Sequence, residues 1–205
     1  MFITFEGIDK SGKTTQSEIL IKRLEEKGYD TLNLREPGGT RISEKIRNIL
    51  LDTDNQEMFP ITEFLLYSAS RSQLVNEIII PALNSGKIVI CDRYYDSSIA
   101  YQGYGRKINL DIIYSINGLV APVKPDFSFF IDIDVSESNK RSDTMNHSKD
   151  RLESQGDIFF DKVRRGYLSI SASEPERFIH IDGKEKPEAI AEIIWEKIAK
   201  KLEIK

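Results

Sequence analysis

A glycine-rich run near the N-terminus has the spacing of a phosphate-binding loop. Residues 7–14 read Gly-Ile-Asp-Lys-Ser-Gly-Lys-Thr, which fits G-x-x-x-x-G-K-[ST]. Gly7 and Gly12 let the backbone curl, so that several N–H groups point inward at the start of a helix and form an anion site. In such a loop Lys13 reaches the β- and γ-phosphates, and the Thr14 hydroxyl holds Mg²⁺. The residues predicted to bind the nucleoside triphosphate are Gly7, Ile8, Asp9, Lys10, Ser11, Gly12, Lys13, Thr14 and Thr15.

An acidic residue follows a second apolar run. Asp92 comes directly after Lys87–Cys91, and an acid at the carboxyl end of a buried parallel strand points into the crevice where such sheets bind ligands. Taken alone, Asp92 could instead cap a helix that follows the strand. Beside a phosphate loop, we predict that it holds Mg²⁺ directly or through water.

Two arginines occupy predicted strand ends near the same crevice. Planar guanidinium groups suit a bidentate grip on phosphate, so Arg35 and Arg93 are candidates for a second anion site. An arginine at a strand end is more often a surface charge, but two of them beside a phosphate loop favour the site.

Tyr67 and Arg71 lie four residues apart on a predicted helix and therefore share a face. There a ring could stack on a base while the arginine donates to a carbonyl, although Tyr67 taken alone is better explained by core packing.

The elements that must position these residues alternate along the chain. Short apolar runs predict strands, and longer amphipathic runs predict helices. The predicted strands are Phe2 to Glu6, Asp30 to Leu34, Lys87 to Cys91, Phe127 to Asp132 and Arg177 to Ile181. The predicted helices are Lys13 to Lys27, Ile42 to Leu51, Ile61 to Ser85, Leu110 to Asn117, Gly156 to Ala172 and Pro187 to Leu202. Gly28 and Gly86 are predicted to end helices, and Pro81 to kink or split one. The pattern predicts an α/β three-layer sandwich, a parallel five-stranded sheet with helices on both faces.

One polar segment, residues 136–155, breaks this pattern. It mixes Ser, Asn and Asp with basic residues that include Lys149 and Arg151. Such a stretch is either a solvated surface excursion or a mobile lid over a polyanion, and the phosphate loop favours the lid. We predict a single domain over residues 1–205 with the lid at about 136–155.

Composition narrows the class of protein. The chain has 205 residues, one cysteine (Cys91) and a net charge of −4. That charge argues against a general nucleic-acid binder. No secretory signal is recognisable and no apolar run approaches the ~20 residues that span a bilayer. We therefore expect a cytoplasmic protein that binds neither nucleic acid nor membrane.

Several classes of protein contain a phosphate loop of this kind, and other features of the sequence distinguish among them. A GTPase needs N-K-x-D to read guanine, but Asn139-Lys140 is followed by Arg141-Ser142 and lacks the acid. Motor or assembly ATPases usually need a longer chain. A small domain with a basic lid fits a nucleotide kinase, in which a lid excludes water so that ATP is not hydrolysed.

Further motifs make the resemblance specific. The chain resembles the thymidylate kinase (dTMP kinase) family in four motifs, in order, and in Asp150-Arg151-Leu152-Glu153 of the predicted lid. The motifs are Phe5-Glu6-Gly7-Ile8-Asp9-Lys10-Ser11-Gly12-Lys13-Thr14-Thr15-Gln16, Arg35-Glu36-Pro37-Gly38-Gly39-Thr40, Asp92-Arg93-Tyr94 and Ala100-Tyr101-Gln102-Gly103. The resemblance implies transfer of the γ-phosphoryl group of ATP to dTMP with Mg²⁺, by a homodimer. The apolar helix around Ile61–Ile80 could supply the dimer face or belong to the core.

The resemblance also implies roles for individual residues. Asp9 would bind the sugar 3′-OH, Tyr101 would close against the sugar, and Ser97 and Gln102 would line the base pocket. Tyr67 and Arg71 would contact the base, and Arg35 and Arg93 the acceptor phosphate. Lys13, Arg93, Lys10 and Arg151 are the predicted catalytic cations. Lys10 departs from family members that carry Arg at this place, and a lysine lacks the guanidinium fork.

Three alternatives remain open from the sequence. A deoxynucleoside kinase would need a carboxylate to deprotonate a 5′-hydroxyl, and Glu36 is the candidate. A kinase for CMP or AMP and a nucleotide-binding regulator without turnover are the other two. Neither His147 nor His180 lies in a motif, which fits a reaction whose acceptor oxygen is already ionised.

Overall fold

A parallel five-stranded sheet forms the centre of the molecule. The computed structural model describes residues 1–143 and 150–204. The strands are β1 Phe2–Glu6, β2 Thr31–Arg35, β3 Ile88–Asp92, β4 Phe127–Asp132 and β5 Phe178–Asp182, and their order across the sheet is β2-β3-β1-β4-β5. In this register Asp92 lies beside Phe5 on one side and Arg35 on the other. The carboxyl ends of the three strands that precede the predicted site residues therefore meet at one edge.

Helices cover both faces of the sheet. They are α1 Lys13–Glu26, α2 Arg41–Leu51, α3 Pro60–Leu74, α4 Ile80–Asn84, α5 Tyr95–Ser98, α6 Leu110–Val120, α7 Val135–Asp143, α8 Asp157–Ser173 and α9 Pro187–Lys201. Two π-helices, π1 Val75–Ile79 and π2 Ile99–Gly105, continue α3 and α5. On one face, β-strand residues such as Ile3 and Phe129 pack against α1 and α9. On the other, Phe130 and Val89 pack against helical residues such as Tyr167 and Leu74.

The predicted architecture is confirmed. The five predicted strands agree with the observed ones within one residue at each end. The strands β1, β3 and β4 are short, largely buried apolar runs, which is the pattern that local sequence shows most clearly. Gly28 and Gly86 both have φ near +85°, the left-handed conformation expected just beyond a helix end. The long helix predicted for Ile61 to Ser85 is interrupted by π1, which ends two residues before Pro81.

Two helical segments were not predicted. The α5–π2 segment follows Asp92 and carries Ser97 and Tyr101, to which the resemblance gave roles but no secondary structure. The predicted lid begins as α7, whose sequence Val-Ser-Glu-Ser-Asn-Lys-Arg-Ser-Asp is too polar to show an amphipathic period. Residues 144–149 of the lid, with His147 and Lys149, lie outside the described residues. Within residues 1–143 and 150–204, no helix combines the length and apolar character needed to cross a membrane.

Candidate active site at the carboxyl edge of the sheet

The glycine-rich loop connects the buried strand β1 to α1. Gly7 has φ +141° and Gly12 has φ +105°, so both glycines adopt backbone conformations that other residues rarely take. A Cβ on Gly7 would lie 2.5 Å from the Ile131 carbonyl oxygen of β4. The loop therefore passes too close to the sheet for any side chain at position 7. The Lys13 ammonium group donates to the Ile8 carbonyl at 2.9 Å, which folds the lysine back over the loop.

Lys13 is buried next to another cation. Burial and then the nearby guanidinium of Arg93 lower the pKa of Lys13 to about 8, although Asp92 and Asp9 oppose the shift. A positive charge is thus disfavoured here in the absence of an anion. A polyphosphate bound against the loop would supply that anion.

Thr14 and Asp92 come together at the mouth of the loop. The Thr14 hydroxyl donates to Asp92 Oδ2 at 3.0 Å. Asp92 Oδ1 is buried and has no hydrogen-bond partner among the described residues, which a cation or its water shell would provide. No group of three or more His, Cys, Asp or Glu side chains that could enclose a metal occurs in the described part of the chain. One hydroxyl and one carboxylate fit Mg²⁺, which keeps several waters and binds phosphates as well.

Arg93 is held against the same loop. It has φ +70°, and its Nη1 donates to the Gly7 carbonyl at 2.8 Å while its Nη2 donates to Asp9 Oδ1 at 2.6 Å. Burial raises the pKa of Asp9, but Arg93 and Lys13 outweigh it and hold that pKa below its ordinary value. The Tyr101 ring lies 5.1 Å from the guanidinium carbon. Arg93 is therefore fixed against the glycine-rich loop, with the Tyr101 ring on its other side.

Two further guanidinium groups, Arg35 at the end of β2 and Arg47 on α2, lie close together beside the cavity. Arg35 Nη1 and Arg47 Nη1 both donate to the Pro37 carbonyl, at 2.9 Å and 2.8 Å. Arg35 also pairs with Glu44 at 3.1 Å. Burial and then the neighbouring Arg35 lower the pKa of Arg47. Two cations that share one acceptor beside a cavity form a site for an anion.

Tyr67 and Arg71 both face the cavity from α3, as their spacing predicted. Arg71 is buried and not left to solvent. Its Nε donates to Glu36 Oε2 at 2.7 Å, its Nη1 to Ser98 and Asn117, and its Nη2 to the Tyr94 carbonyl. A guanidinium has five N–H groups. The described residues accept four of those of Arg71, so its second Nη2 N–H can donate to a ligand. Burial raises the pKa of Glu36 to about 7 against the opposing charge of Arg71.

Residues of the α5–π2 segment line the remaining side of the cavity. Ser97 Oγ donates to Glu6 Oε2 at 2.6 Å, and Gln102 Nε2 donates to Glu63 Oε1 at 2.9 Å. Since its nitrogen faces Glu63, the amide oxygen of Gln102 points away from that carboxylate. The Tyr101 hydroxyl is buried without a partner among the described residues.

These side chains line one cavity of about 850 Å³. The predicted residues in its wall are Asp9, Lys10, Gly12, Lys13, Thr14, Thr15, Arg35, Tyr67, Arg71, Asp92, Arg93, Ser97, Tyr101 and Gln102. Gly7, Ile8 and Ser11 form the loop but do not line the cavity. The structure thus brings the loop lysine and both predicted phosphate-binding arginines to a common space, which is large enough for a nucleotide-sized ligand.

Arg151 is not among the residues that line the cavity. It is 2% exposed, its Nη1 pairs with Glu63 Oε2 at 2.8 Å, and its Nε donates to the Leu50 carbonyl at 2.7 Å. Arg106 pairs with the same carboxylate at 2.9 Å. In this arrangement Arg151 joins the end of the lid to α2 and α3. The catalytic role predicted for Arg151 has no support from its position, whereas Lys10 lies in the cavity wall, 3.5 Å from Glu153.

Three residues that contact the predicted site were missed. Arg47 lies on α2 and carries no motif. Tyr167, on α8, is distant in sequence from every motif and has no local signal. Glu6 ends a buried strand, as Asp92 does, so the same signal was available for it. Burial and then Asp96 raise the pKa of Glu6 to about 8.

Known proteins match almost the whole chain. A family model described as thymidylate kinase matches residues 5–194. The thymidylate kinase of Caldanaerobacter subterraneus subsp. tengcongensis is 48% identical over 194 residues, covering 94% of this chain and 92% of the relative. That of Acholeplasma laidlawii is 46% identical over 203 residues, covering 98% and 100%. The crystal structure of thymidylate kinase from Ehrlichia chaffeensis superimposes with a TM-score of 0.78 at 37% identity and covers 97% of each chain.

Proposed function

Since the chain belongs to the thymidylate kinase family, we propose that it transfers the γ-phosphoryl group of ATP to dTMP, giving dTDP and ADP. The observation that carries the proposal is that the loop lysine Lys13 lines the same cavity as Arg35 and Arg93. Donor and acceptor phosphates must meet in line, and catalysis of such a transfer is mostly positioning and charge stabilisation.

ATP is the phosphoryl donor. We assign its phosphates to the backbone N–H groups of the loop and to Lys13, whose buried charge a polyphosphate stabilises. Lys10, at the tip of the loop with φ +60°, is the nearby cation that supports the transferred phosphoryl group. The ion pair between Lys10 and Glu153 connects that tip to the lid.

The acceptor phosphate of dTMP is assigned to Arg93 and Arg35. Arg93 joins both halves of the site, because it contacts the Gly7 carbonyl of the donor loop. A phosphate monoester oxygen is already ionised at neutral pH, so the reaction needs no general base. Asp9, paired with Arg93, is assigned to the sugar 3′-OH.

The base and sugar are assigned to the wall formed by α3 and π2. There Tyr67 supplies a ring for stacking, Arg71 an N–H donor and Gln102 an amide. A pyrimidine with carbonyl oxygens matches the donor of Arg71. The Tyr101 ring, over Arg93, lies where it can close against the sugar.

Mg²⁺ is proposed as the metal that accompanies ATP. Thr14 and Asp92 would hold it, as the unpartnered Oδ1 of Asp92 supports. When bound, the ion would neutralise charge on the β- and γ-phosphates and help to align them.

A panel of acceptors tests the function. ADP release with Mg-ATP is measured with thymidine, dTMP, dUMP, CMP and AMP. We expect dTMP to give the highest kcat/KM, and thymidine and AMP to give no more than the ATP-only background. Turnover of thymidine but not of dTMP would establish the nucleoside kinase, with Glu36 as its base. Absence of turnover with every acceptor would favour the regulator. The two relatives named above are thymidylate kinases and favour neither alternative.

We also propose that two copies of the chain associate through α2 and α3. Ile61 and Leu65 lie four residues apart on α3, Phe59 precedes them, and all three are exposed although apolar. Ile42 and Ile49, seven apart on the adjoining α2, are exposed as well. Several exposed apolar side chains on two adjoining helices are typical of an interface, and a twofold pair of identical surfaces closes on itself.

Sedimentation velocity tests the association. Leu65→Glu is expected to shift the wild-type dimer to monomer, whereas Ile158→Glu, at an exposed apolar position on α8, leaves it a dimer. A monomeric wild-type protein at micromolar concentration contradicts the proposal.

We further propose a cytoplasmic location, which the buried free thiol of Cys91 supports.

A further inference from the structure

Tyr167, a fully buried residue of α8, contacts the guanidinium of Arg93. Its hydroxyl oxygen lies 3.3 Å from Arg93 Nη1, 3.1 Å from Glu6 Oε2 and 2.8 Å from Ser97 Oγ. Ser97 Oγ is itself 2.6 Å from Glu6 Oε2. The tyrosine hydroxyl, the serine hydroxyl and the carboxylate therefore form a buried triangle beside Arg93.

Counting the protons of this triangle fixes the role of the tyrosine oxygen. Each hydroxyl has one proton. If Ser97 donates to Glu6, the tyrosine donates to Ser97 or Glu6; if the tyrosine donates to Glu6, Ser97 is free to donate to the tyrosine. A proton on Glu6 gives a closed ring, in which Glu6 donates to Ser97, Ser97 to Tyr167, and Tyr167 to Glu6. In every case the Tyr167 proton stays within the triangle, and a lone pair is left for the N–H of Arg93.

Packing keeps that oxygen in place. The Tyr167 ring stacks on Phe130 at 5.1 Å and on Phe178 at 6.2 Å between ring centroids. The neighbouring Gly166 lets α8 approach π2, because a Cβ there would lie 2.8 Å from the Ala100 Cα. A ring held on its faces can present its hydroxyl in one direction only.

We propose that Tyr167 is a positioning residue for the acceptor phosphate, acting through Arg93. The inference rests on the proposed function, in which Arg93 grips that phosphate. The loop contacts of Arg93, to Gly7 and Asp9, draw its guanidinium toward the donor site. The Tyr167 oxygen adds a contact from α8 and so fixes the orientation of the fork. Without it the guanidinium can turn about its bonds to the loop, and a bidentate phosphate contact loses its alignment.

Tyr167→Phe removes the hydroxyl and keeps the ring. We expect kcat/KM for dTMP to fall about tenfold, as the loss of one hydrogen bond to a charged group predicts. The KM for ATP should change less than twofold, because Tyr167 does not line the cavity near the loop lysine. Tyr104→Phe is the matched control. It removes a hydroxyl that bonds Ser169 on the exposed side of the same helix and should leave all constants unchanged.

A double-mutant cycle separates positioning from a general structural effect. In an Arg93→Lys background the point charge has no fork to orient, so adding Tyr167→Phe should cost less than twofold in kcat/KM for dTMP. An unchanged kcat/KM in Tyr167→Phe, or an equal loss in both backgrounds, overturns the inference while the function stands. A wild-type protein without dTMP-dependent turnover overturns both.

Discussion

The ammonium group of Lys13 lies where a positive charge is disfavoured until a polyphosphate binds. Its surroundings are buried, Arg93 repels it, and its fixed partner is a neutral carbonyl, that of Ile8. The same features that disfavour the charge in the free protein strengthen its attraction to a bound anion, because few water molecules compete. At the scale of single residues the site is thus prepared for its ligand at the expense of stability.

Replacement of the two loop lysines should have unequal effects. Lys13→Ala is expected to lower kcat by about 10²-fold or more, because it removes a buried charge at the transferred phosphoryl group. Lys10→Ala should lower kcat less than about tenfold, since this residue is partly exposed and pairs with Glu153. Steady-state kinetics with ATP and dTMP measure both. Equal losses would mean that the donor site is assigned to the wrong lysine.

Lys13→Met should stabilise the free protein while it abolishes activity. Because burial lowers the pKa of Lys13 to about 8, its charge costs the folded state about 3 kcal/mol at neutral pH. Between pH 8 and 10.5 the unfolded chain binds more protons at this residue than the folded one, so wild-type stability rises with pH there. The advantage of Lys13→Met should therefore be largest below pH 8 and shrink above it. Urea unfolding at pH 7, 8, 9 and 10 measures it; an advantage that grows with pH contradicts the shift.

At the scale of elements, the cavity depends on how closely helices approach one another. The α8 helix packs against π2, which carries Tyr101 and Gln102, and Gly166 lies at their contact. A π-helix has a wider backbone than an α-helix and is frequent at functional sites. The packing of α8 against π2 thus positions the side of the cavity that carries Tyr101 and Gln102.

Gly166→Ala tests this approach. Its methyl group would meet the Ala100 backbone, so we expect a loss of about 1–3 kcal/mol in the free energy of unfolding. Gly118→Ala, on the exposed side of α6, meets no atom within 4 Å and should gain up to about 1 kcal/mol, since alanine favours helix. Urea unfolding at one protein concentration compares them. Equal effects in the two variants would show that α8 and π2 are not tightly packed.

Replacement of Arg151 tests whether this residue holds the end of the lid in place or acts on the transferred phosphoryl group. If it holds the lid to Glu63, Arg151→Met should lower the free energy of unfolding by about 2–4 kcal/mol, because it breaks a buried ion pair. The activity of the folded variant should then fall less than about tenfold. Arg165→Met, at an exposed position of α8, is the control for loss of an arginine. Native stability with a loss of activity above about 100-fold would instead support a role at the transferred phosphoryl group.

Local patterns predicted the elements better than the contacts between them. The strands, the phosphate loop and the glycine-ended helices follow from short-range rules, as at Gly12 and Gly28. The contact of Tyr167 with Arg93 joins residues 74 positions apart and depends on how α8 packs. The buried pairing of Arg151 is of the same kind, since its partner Glu63 gives no signal in the predicted lid. Such contacts are set by the tertiary fold, which spacing along the chain does not encode.

At the scale of the whole molecule, the sheet order explains why one cavity serves two phosphates. β1 lies between β3 and β4, and β3 lies beside β2, so the loop after β1, Asp92 and Arg35 are neighbours at the carboxyl edge. The phosphate loop and Arg35 at the end of β2 therefore line the same cavity without any movement of the sheet. Arg93, bonded to the donor loop, lies between them.

The central claim is that this cavity holds the polyphosphate of a donor and the phosphate of an acceptor at the same time. Calorimetric titration with adenosine and thymidine joined 5′ to 5′ through five phosphates tests it most directly. We expect one molecule to bind per chain, at least tenfold more tightly than ADP or dTMP alone, because the second half binds at a high effective concentration. Binding no tighter than ADP alone, or mutual displacement of ADP and dTMP, would contradict the account.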